Sequence, residues 1–589
     1  MRFSAQQFLV FALLVILAGG FFLRSYHFSD WLHFELDQAR DARVVDDGLR
    51  GDFFDLPLLG PKAGGTALRL PPGFYYLEYG SALLFGGTPQ GMAMFVMILS
   101  TMVIFLSYVF FRRYFSRSFS LVLTLLVAVS EYLVLYGRFA WNPNLIPFFT
   151  LLGFYALLRS VEHEESKKGY WFVLAIGALG LAMQFHFLAF LSLPTIVFLF
   201  LLIKRPKFSF RVWVCSFLTV SLLYFPMMLN EWETGGANTR EFFQAVTKKS
   251  GKEQHSLLEK VARNVSEHAL YGLVVTTGFE KATFPAISFG DGPLWKCDER
   301  CDKGKWYGLT SVFVFLLACV GFLFLWRQEN ERKKLDFLLL CALWFSVTFI
   351  LFIPLSYDIA PRFFLLSAPI FFTFLGIVLL FTKKIFGERS LGKYVLSILV
   401  SGIVFLNLSG IHERFDEWSR ADTEMIKSAP DRILKEHIRV TLTQQRNIVD
   451  FLKGRSQETG YPVYMWSEPQ HRRALKYLLE RQGVENAVLG FDGIYAEGVY
   501  YLVLRAQSNR EDALKKYRVN YMVGETTSFG TLIVIELFPK TEAIIGKRQD
   551  FSMPKPPEAK SSPRYTWREF FSDQQAIDDE DVADDEQGV

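Results

Sequence analysis

The chain has 589 residues, of which 51% are hydrophobic and 16% aromatic, and its mean hydropathy is +0.22. This composition is more apolar than that of soluble globular domains and indicates an integral membrane protein. The formal net charge is only +4. This net charge is small for such a long chain. The total charge therefore indicates neither a nucleic-acid surface nor a field that attracts acidic substrates.

Apolar windows that are nearly free of charge, each long enough to cross a bilayer, recur along the first 410 residues. They predict about eleven transmembrane helices, near residues 8–23, 91–111, 118–135, 143–158, 170–185, 187–203, 212–229, 307–326, 337–354, 363–382 and 394–410. The first window follows Arg2, but no small-residue cleavage site ends it. We therefore expect a retained helix rather than a signal peptide.

Basic residues fix the expected orientation, because they fall on every second connection between these windows. They are Arg112, Arg113, Arg117, Lys167, Lys168, Lys204, Arg205, Lys207, Arg327, Arg332, Lys333, Lys334, Lys383 and Lys384. The positive-inside rule places those connections in the cytoplasm. The opposite connections are then outside, namely 24–90, 137–144, 230–306, 356–362 and everything beyond about 411.

The polar region beyond residue 410 predicts a separate extracytoplasmic domain. Within residues 411–545, strand-like runs at 461–466, 499–504, 519–524 and 531–538 and a helical run at 471–482 indicate a small α/β domain. It lacks G-x-G-x-x-G, so we do not expect a nucleotide-binding Rossmann unit. Residues 546–589 end in an acidic run and are expected to be a disordered tail.

Two of the five cysteines, Cys297 and Cys301, lie four residues apart in the outer loop 230–306. They could form a local disulfide or half of a metal site. No second Cys or His pair stands near them in the sequence, which favours the disulfide.

The stretch "HFELDQARDARVV" at 33–45 places Glu35, Asp37 and Asp41 just beyond the first helix on the outer side. On a helix, Asp37 and Asp41 share one face, and Arg40 and Arg43 share another. Two interpretations stay open at this point: an interfacial helix with ordinary salt bridges, or a set of carboxylates that faces a cavity at the membrane surface.

Cations also lie at the outer ends of the predicted spans and in the first outer loop. Arg138 and Arg362 follow or precede apolar windows, and Lys62 and Arg69 lie in a loop rich in Gly and Pro. Arginines at such positions can snorkel to lipid headgroups. Together with the acidic stretch, they could instead bind a phosphate by bidentate hydrogen bonds.

Four segments, in this order, resemble a known family: "FELDQARDARVV", "LLGP…LRLPPGFYYL", "LYGRFAWNPNLIPFFTLLGFYALLR" and "YDIAPRFFLLSAPIFF". They are similar to bacterial multi-spanning glycosyltransferases of the GT-C fold, in the protein mannosyltransferase-like (family 39) group close to the aminoarabinose transferases. The resemblance covers roughly residues 1–410. It implies an α-helical polytopic membrane domain of the GT-C type, followed here by the α/β domain.

The resemblance also implies a catalytic carboxylate in the first outer loop and a donor sugar carried on polyprenyl phosphate. Asp37 stands where the first acid of the family's motif stands, but Gln38 replaces the second, so Glu35 is the expected partner in an E-x-D pattern. A divalent metal is possible, with Glu35 and Asp37 as its tentative ligands. The substrate-binding residues that we expect are Asp41, Arg40, Lys62, Arg69, Tyr75, Tyr76, Arg138, Asn142 and Arg362.

The sequence therefore predicts a hexosyl- or pentosyltransferase of the inner (plasma) membrane whose site faces the periplasm or cell exterior. A glycolipid or surface glycan is favoured as acceptor over serine or threonine on a protein, on resemblance alone. A transporter or flippase for lipid-linked sugars, and a ligase or polymerase of such sugars, are the alternatives. A flippase would more often carry ionisable residues at mid-span or show internal repeats.

Overall fold

A computed structural model describes residues 5–64, 66–247, 255–287, 295–297, 299–386, 390–426, 431–489, 493–551 and 564–572. Within these residues, the fold is a bundle of apolar helices that carries a small mixed domain at one end. The helices are α1 (Ala5–Ser25), α2 (Leu36–Arg50), α3 (Gly73–Phe85), α4 (Pro89–Phe111), α5 (Arg117–Val129), α6 (Glu131–Tyr136), α7 (Ile146–Val161), α8 (Lys168–Met183), α9 (Phe187–Lys204), α10 (Phe210–Glu233), α11 (Ala237–Thr247), α12 (Leu257–Thr277), α13 (Glu299–Gln328), α14 (Arg332–Phe352), α15 (Ala368–Ile385), α16 (Ser390–Arg420), α17 (Leu442–Thr459), α18 (Pro469–Arg481), α19 (Arg510–Lys515) and α20 (Trp567–Ser572). The strands are β1 (Ala286–Ile287), β2 (Trp295–Lys296), β3 (Val463–Ser467), β4 (Asn486–Val488), β5 (Val499–Arg505), β6 (Tyr521–Phe529) and β7 (Leu532–Pro539).

The predicted membrane spans are confirmed as helices. In the described part of the chain, nine helices are long and apolar enough to cross a bilayer, and α5 and α8 are two shorter apolar helices. Together they occupy all eleven windows that the sequence predicts. The window 118–135 is broken, however, because the helix stops at Ser130, whose side chain instead caps α6 by accepting a hydrogen bond from the Leu133 amide.

The loops predicted for the two sides of the membrane collect at opposite ends of the bundle. At the predicted cytoplasmic end, Arg113 pairs with Glu162, and Lys333 pairs with Glu164 at 2.8 Å. At the other end, the Gln445 side chain donates to the carbonyl of Phe34 at 2.8 Å, joining the C-terminal domain to the first outer loop. The connections predicted for the two sides of the membrane therefore lie at two distinct ends of the fold.

The C-terminal domain has the predicted α/β character. Its five strands are ordered β4-β3-β5-β7-β6; β3 runs parallel to β4 and β5, while β7 runs antiparallel to β5 and β6. Strands β3, β5, β6 and β7 match the four predicted runs, and α18 matches the predicted helix, but β4 and α17 were not predicted. Helix α18 packs along α2, so this domain covers the acidic stretch of the first outer loop.

A segment near the end of the chain differs from its prediction. Residues 564–572, inside the stretch expected to be disordered, pack against the first outer loop and include α20. The Leu58 amide donates to the Tyr565 carbonyl at 2.8 Å, and the Trp567 amide donates to the Leu56 carbonyl at 3.2 Å. We call residues 564–572 the C-terminal strap. Residues 573–589, which carry the acidic run, lie outside the described residues.

Cys297 and Cys301 form the disulfide that their spacing favours. The bond lies just before and within the first turn of α13.

Candidate active site

Asp37 lies in the first turn of α2, and two neighbouring side chains fix the residue at which this helix begins. Glu35 is the N-cap, and it and Gln38 form a reciprocal capping box, with the Glu35 amide donating to the Gln38 side chain at 3.1 Å. The Gln that replaces the family's second acid thus has a capping role. The cap fixes the start of α2 and projects Asp37 from its first turn, with a side chain that is 36% exposed.

Two donors orient the Asp37 carboxylate. Arg40 Nη1 lies 2.9 Å from Oδ1, and the indole Nε1 of Trp141 lies 3.0 Å from Oδ2. An ionised carboxylate has about four acceptor positions. Because two donors occupy two of them and the side chain is partly exposed, the carboxylate can still accept a proton from an incoming hydroxyl.

Arg362 lies over the face of the same tryptophan. Its guanidinium carbon is 5.0 Å from the centre of the Trp141 ring and 5.4 Å from that of Phe363. Among the residues that the structure describes, no hydrogen bond or ion pair to the Arg362 side chain is formed. A partly exposed guanidinium that is stacked but not paired is suited to bind an anion.

The part of α2 that faces the protein interior carries buried acidic groups. Asp41 is fully buried and accepts from Arg40 at 2.8 Å, so Arg40 joins the two aspartates that the sequence predicts on one helix face. Glu78 on α3 lies beneath them with 1% of its surface exposed, and burial raises its pKa well above the usual range for a glutamate. Asp41 and Arg40 therefore support Asp37 from inside the protein rather than facing a substrate.

The loop 58–70 folds as a hairpin beside Arg362. The backbones of Lys62 and Arg69 form an antiparallel bridge across it, and the Ala63 amide donates to the Leu68 carbonyl at 2.7 Å. A Cβ atom on Gly64, at its tip, would lie 3.7 Å from Nη2 of Arg362. Arg69 is buried, and Asn238 of α11 holds its backbone through two hydrogen bonds. The tip of the hairpin thus lies beside Arg362, and a role for Lys62 and Arg69 in binding substrate stays a prediction.

Three of the expected substrate-binding residues have structural roles. Arg138 is 2% exposed and donates to the carbonyls of Leu23, Arg24 and Tyr26 at 2.7–3.0 Å, which caps the end of α1. The Tyr76 hydroxyl donates to the Pro57 carbonyl and accepts from Trp567 of the strap.

The Asn142 side chain donates to the Phe185 carbonyl at 2.7 Å. Tyr75 is fully buried and packs beneath Arg564 of the strap. Buried Arg138 and Tyr75 present almost no surface to a substrate, whereas substrate contact by Tyr76 and Asn142 stays a prediction.

A second polar cluster surrounds Glu35. His33 Nδ1 lies 2.8 Å from Glu436, and His33 Nε2 lies 3.9 Å from Glu35. Burial raises the pKa of Glu35 to about 7; burial lowers that of His33, but Glu35 and Glu436 outweigh this effect and raise it to about 9. In this cluster, a positively charged histidine lies between two carboxyl groups.

The same three residues form a set that could hold a divalent metal. One ligand atom from each of His33, Glu35 and Glu436 lies within 4.8 Å of the others. One imidazole and two carboxylates are donors that suit Zn²⁺ or Mn²⁺. Asp37 is held by Arg40 and Trp141, so the described geometry favours the set around His33, and a metal shared by Asp37 and Glu35 stays a prediction.

Sequence reasoning missed three contributors to this region. Trp141 stands inside the quoted segment "GRFAWNPN", between two residues that were selected, and its aromatic ring at an outer turn was a usable signal. His33 opens the quoted acidic stretch, and a histidine two residues before a glutamate is a weak signal. Glu436 lies about 400 residues away, and no local pattern connects it with His33.

Comparisons with known proteins agree with this architecture. Residues 69–229 match the family model of dolichyl-phosphate-mannose-protein mannosyltransferases. A search of curated protein sequences found no match. Among solved structures, ArnT from Cupriavidus metallidurans bound to undecaprenyl phosphate is 12% identical, with a TM-score of 0.53, over 90% of this chain and 98% of that one.

The archaeal oligosaccharyltransferase AglB from Archaeoglobus fulgidus, in complex with an inhibitory peptide and a dolichol-phosphate, is also similar. It is 10% identical, with a TM-score of 0.50, over 92% of this chain and 75% of that one. At such identities, the likeness concerns the fold. The chain is thus a multi-pass membrane protein with the GT-C glycosyltransferase fold that the sequence resemblance predicted, and its residues 69–229 match the mannosyltransferase family model.

Proposed function

We propose that this protein transfers a sugar from a polyprenyl-phosphate carrier to an acceptor hydroxyl, with Asp37 as general base. The observation that carries the proposal is the arrangement at Trp141: a partly exposed carboxylate at the edge of the indole and a guanidinium with no polar partner in the described structure over its face. A base and an anion-binding group thus contact the same tryptophan side chain. This arrangement suits a displacement in which the base takes up a proton and a phosphate leaves.

In this reaction, the acceptor oxygen attacks the anomeric carbon while Asp37 takes the hydroxyl proton. The new carbon–oxygen bond forms as the bond between the anomeric carbon and the phosphate oxygen breaks, and the electron pair leaves with polyprenyl phosphate. The donor is a phosphodiester with one negative charge, and the polyprenyl phosphate that leaves is a monoester dianion, which needs charge stabilisation more than protonation. Arg362 supplies that charge, with Lys62 and Arg69 of the neighbouring hairpin behind it.

The carrier is inferred from the fold's relatives and from the site's position. The ArnT structure holds undecaprenyl phosphate and the AglB structure a dolichol-phosphate. In this chain, the site lies beside the ends of the spans, where an isoprenoid tail can remain in the bilayer while its phosphate reaches Arg362. The positive-inside distribution of Lys and Arg supports an outer, periplasmic or extracellular, position of the site.

The acceptor that we favour is a glycolipid or surface glycan, with protein serine or threonine as the second candidate. Both are compatible with a general base that is partly exposed at the outer face. The reaction as written needs no metal, and His33, Glu35 and Glu436 would hold one if it binds.

Mass spectrometry of surface glycolipids and exported glycoproteins tests the proposal. Cells carrying wild type, a deletion, Asp37→Asn and the control Asp47→Asn are compared at matched expression. Asp47 is an exposed residue of the same helix, so its change should leave transfer intact. A positioned base contributes about 10²- to 10⁴-fold, so Asp37→Asn should lose the same single-sugar mass as the deletion.

That mass would also identify the sugar and the class of acceptor. If the deletion changes the profile while Asp37→Asn transfers normally, Asp37 is not the base and a flippase becomes the better interpretation.

A further inference from the structure

Trp141 is the residue through which the base and the anion-binding arginine meet. It precedes the 3-10 turn Asn142–Leu145, and its own carbonyl accepts from the Asn144 amide at 3.0 Å. The Asn144 side chain donates to the Phe139 carbonyl at 3.0 Å, and the Asn142 side chain reaches the Phe185 carbonyl on the neighbouring helix connection. The backbone on both sides of the tryptophan is therefore fixed independently of any substrate.

The indole presents two different surfaces to two opposite charges. Its edge, through Nε1, donates to Asp37 at 3.0 Å, and its face lies 5.0 Å from the guanidinium carbon of Arg362. Asp37 has a second donor in Arg40 on its own helix, whereas Arg362 contacts two aromatic rings and forms no hydrogen bond or ion pair within the described structure.

A carboxylate and a guanidinium that come into contact can form a bidentate ion pair. That pair would occupy the arginine and hold both Asp37 oxygens. In the structure, the indole contacts each group separately, and no Asp37–Arg362 ion pair is among the contacts of the described residues. The tryptophan thus provides an alternative partner for both charges and keeps them apart.

We propose that Trp141 is a positioning residue that orients Asp37 through its N–H and, through its ring, holds Arg362 unpaired for the phosphate of the donor. This inference rests on the proposed function and deepens it. The two halves of the role belong to different parts of the side chain, so substitutions can separate them.

Trp141→Phe retains an aromatic face but has no N–H, and Trp141→Ala removes both. Transfer is measured as the rate of single-sugar addition in membranes that contain the native donors. Binding is measured with undecaprenyl phosphate and the purified protein in detergent. A hydrogen bond to a charged group is worth about tenfold or more, so Trp141→Phe should lower transfer about tenfold and change undecaprenyl phosphate affinity less than about twofold.

Trp141→Ala should lower both transfer and affinity, because Arg362 loses its platform and can turn to Asp37. Trp171→Phe is the matched control: Arg159 stacks on Trp171 at 5.2 Å, at the opposite end of the bundle. This control should leave transfer and affinity at the wild-type values, and the melting temperature is followed for every variant.

Normal transfer in Trp141→Phe would overturn the orienting half of the proposal, and normal affinity in Trp141→Ala would overturn the arginine half. Equal loss of both quantities in the two variants would show a general packing role instead. Asp37→Asn is measured beside them. If it transfers normally, the proposed function itself fails, whereas an inactive Asp37→Asn with a normal Trp141→Phe removes the positioning role alone.

Discussion

Two groups of charges at the end of the bundle that carries the C-terminal domain have opposite characters. In the first, which we call the buried ion cluster, Arg414, Asp431, Glu436 and Arg439 are each at most 6% exposed in their side chains. Arg414 pairs with Asp431 at 3.0 Å, and Arg439 pairs with Glu436 at 3.0 Å. In the second, at Trp141, Asp37 is 36% exposed and Arg362 stacks on rings alone within the described structure.

The difference distinguishes charges that stabilise the fold from charges that stay available for a reaction. Buried charges are tolerated when each has a partner, and removal of one partner leaves an uncompensated ion. Arg414 and Arg439 hold the pKa of Asp431 well below its usual range despite its burial. The Trp141 arrangement retains unfilled capacity for a proton and for an anion, which contributes little to folding but is what a reaction requires.

Breaking the buried ion cluster should have the largest effect, and on stability. Arg439→Ala leaves Glu417, Asp431 and Glu436 without their shared cation, which should destabilise the fold by about 3–5 kcal/mol. Thermal unfolding in detergent measures the change. Arg420→Ala is the control, since Arg420 forms ion pairs that are exposed and should contribute little. Equal melting temperatures for the two variants would contradict the distinction.

Breaking the site should instead affect transfer without affecting stability. Arg362→Ala should lower transfer about 10- to 100-fold, because hydrogen bonds to charged groups are worth about 1.5–3 kcal/mol. Arg362→Lys should restore part of it, since an ammonium keeps the charge but not the planar fork. The same membrane assay and melting curves provide the measurement; a large fall in melting temperature with Arg362→Ala would place this arginine with the structural charges.

The strap is an intermediate case, because both backbone hydrogen bonds and ion pairs connect it to the first outer loop. A chain that stops at residue 563 loses the Leu58 and Trp567 hydrogen bonds and the contacts of Arg568 with Asp52 and Asp55. We expect a loss of about 1–3 kcal/mol, seen as a lower melting temperature. A chain that stops at residue 572 is the control and should melt like wild type; equal melting of both truncations would contradict a role for the strap.

The last effect that we predict is a pH dependence at His33. Its pKa is raised from 6.5 to about 9, so its stabilising contribution is complete below pH 6.5 and is lost as the pH rises toward 9. Glu35, raised from 4.5 to about 7, acts in the same direction at lower pH. The melting temperature should fall between pH 6.5 and 9, and His33→Gln should flatten that decline. An unchanged decline in His33→Gln would assign it to other groups.

The sequence predicted what depends on local patterns. Apolar windows matched every membrane-capable helix in the described part of the chain, and the acidic stretch and "YDIAPR" pointed to Asp37 and Arg362, which the structure places at the same tryptophan. Arg138 was assigned to phosphate because an arginine at a span end has the same local signature whether it meets a ligand or caps a helix. Its carbonyl partners lie more than 110 residues away. Glu436 and Trp567 depend on still more distant contacts, with His33 and Tyr76, and no local pattern could reveal them.

The strap also bears on how the protein is made. Arg568 and Asp55, which it brings together, are 513 residues apart in the chain. During synthesis, the loop that contains Asp55 therefore leaves the ribosome long before the segment that closes it exists. A stalled or prematurely terminated chain can insert its spans and yet present an open, incompletely paired loop at the membrane surface, which proteases can recognise. Closure of the loop by the strap would then report that synthesis has passed residue 572.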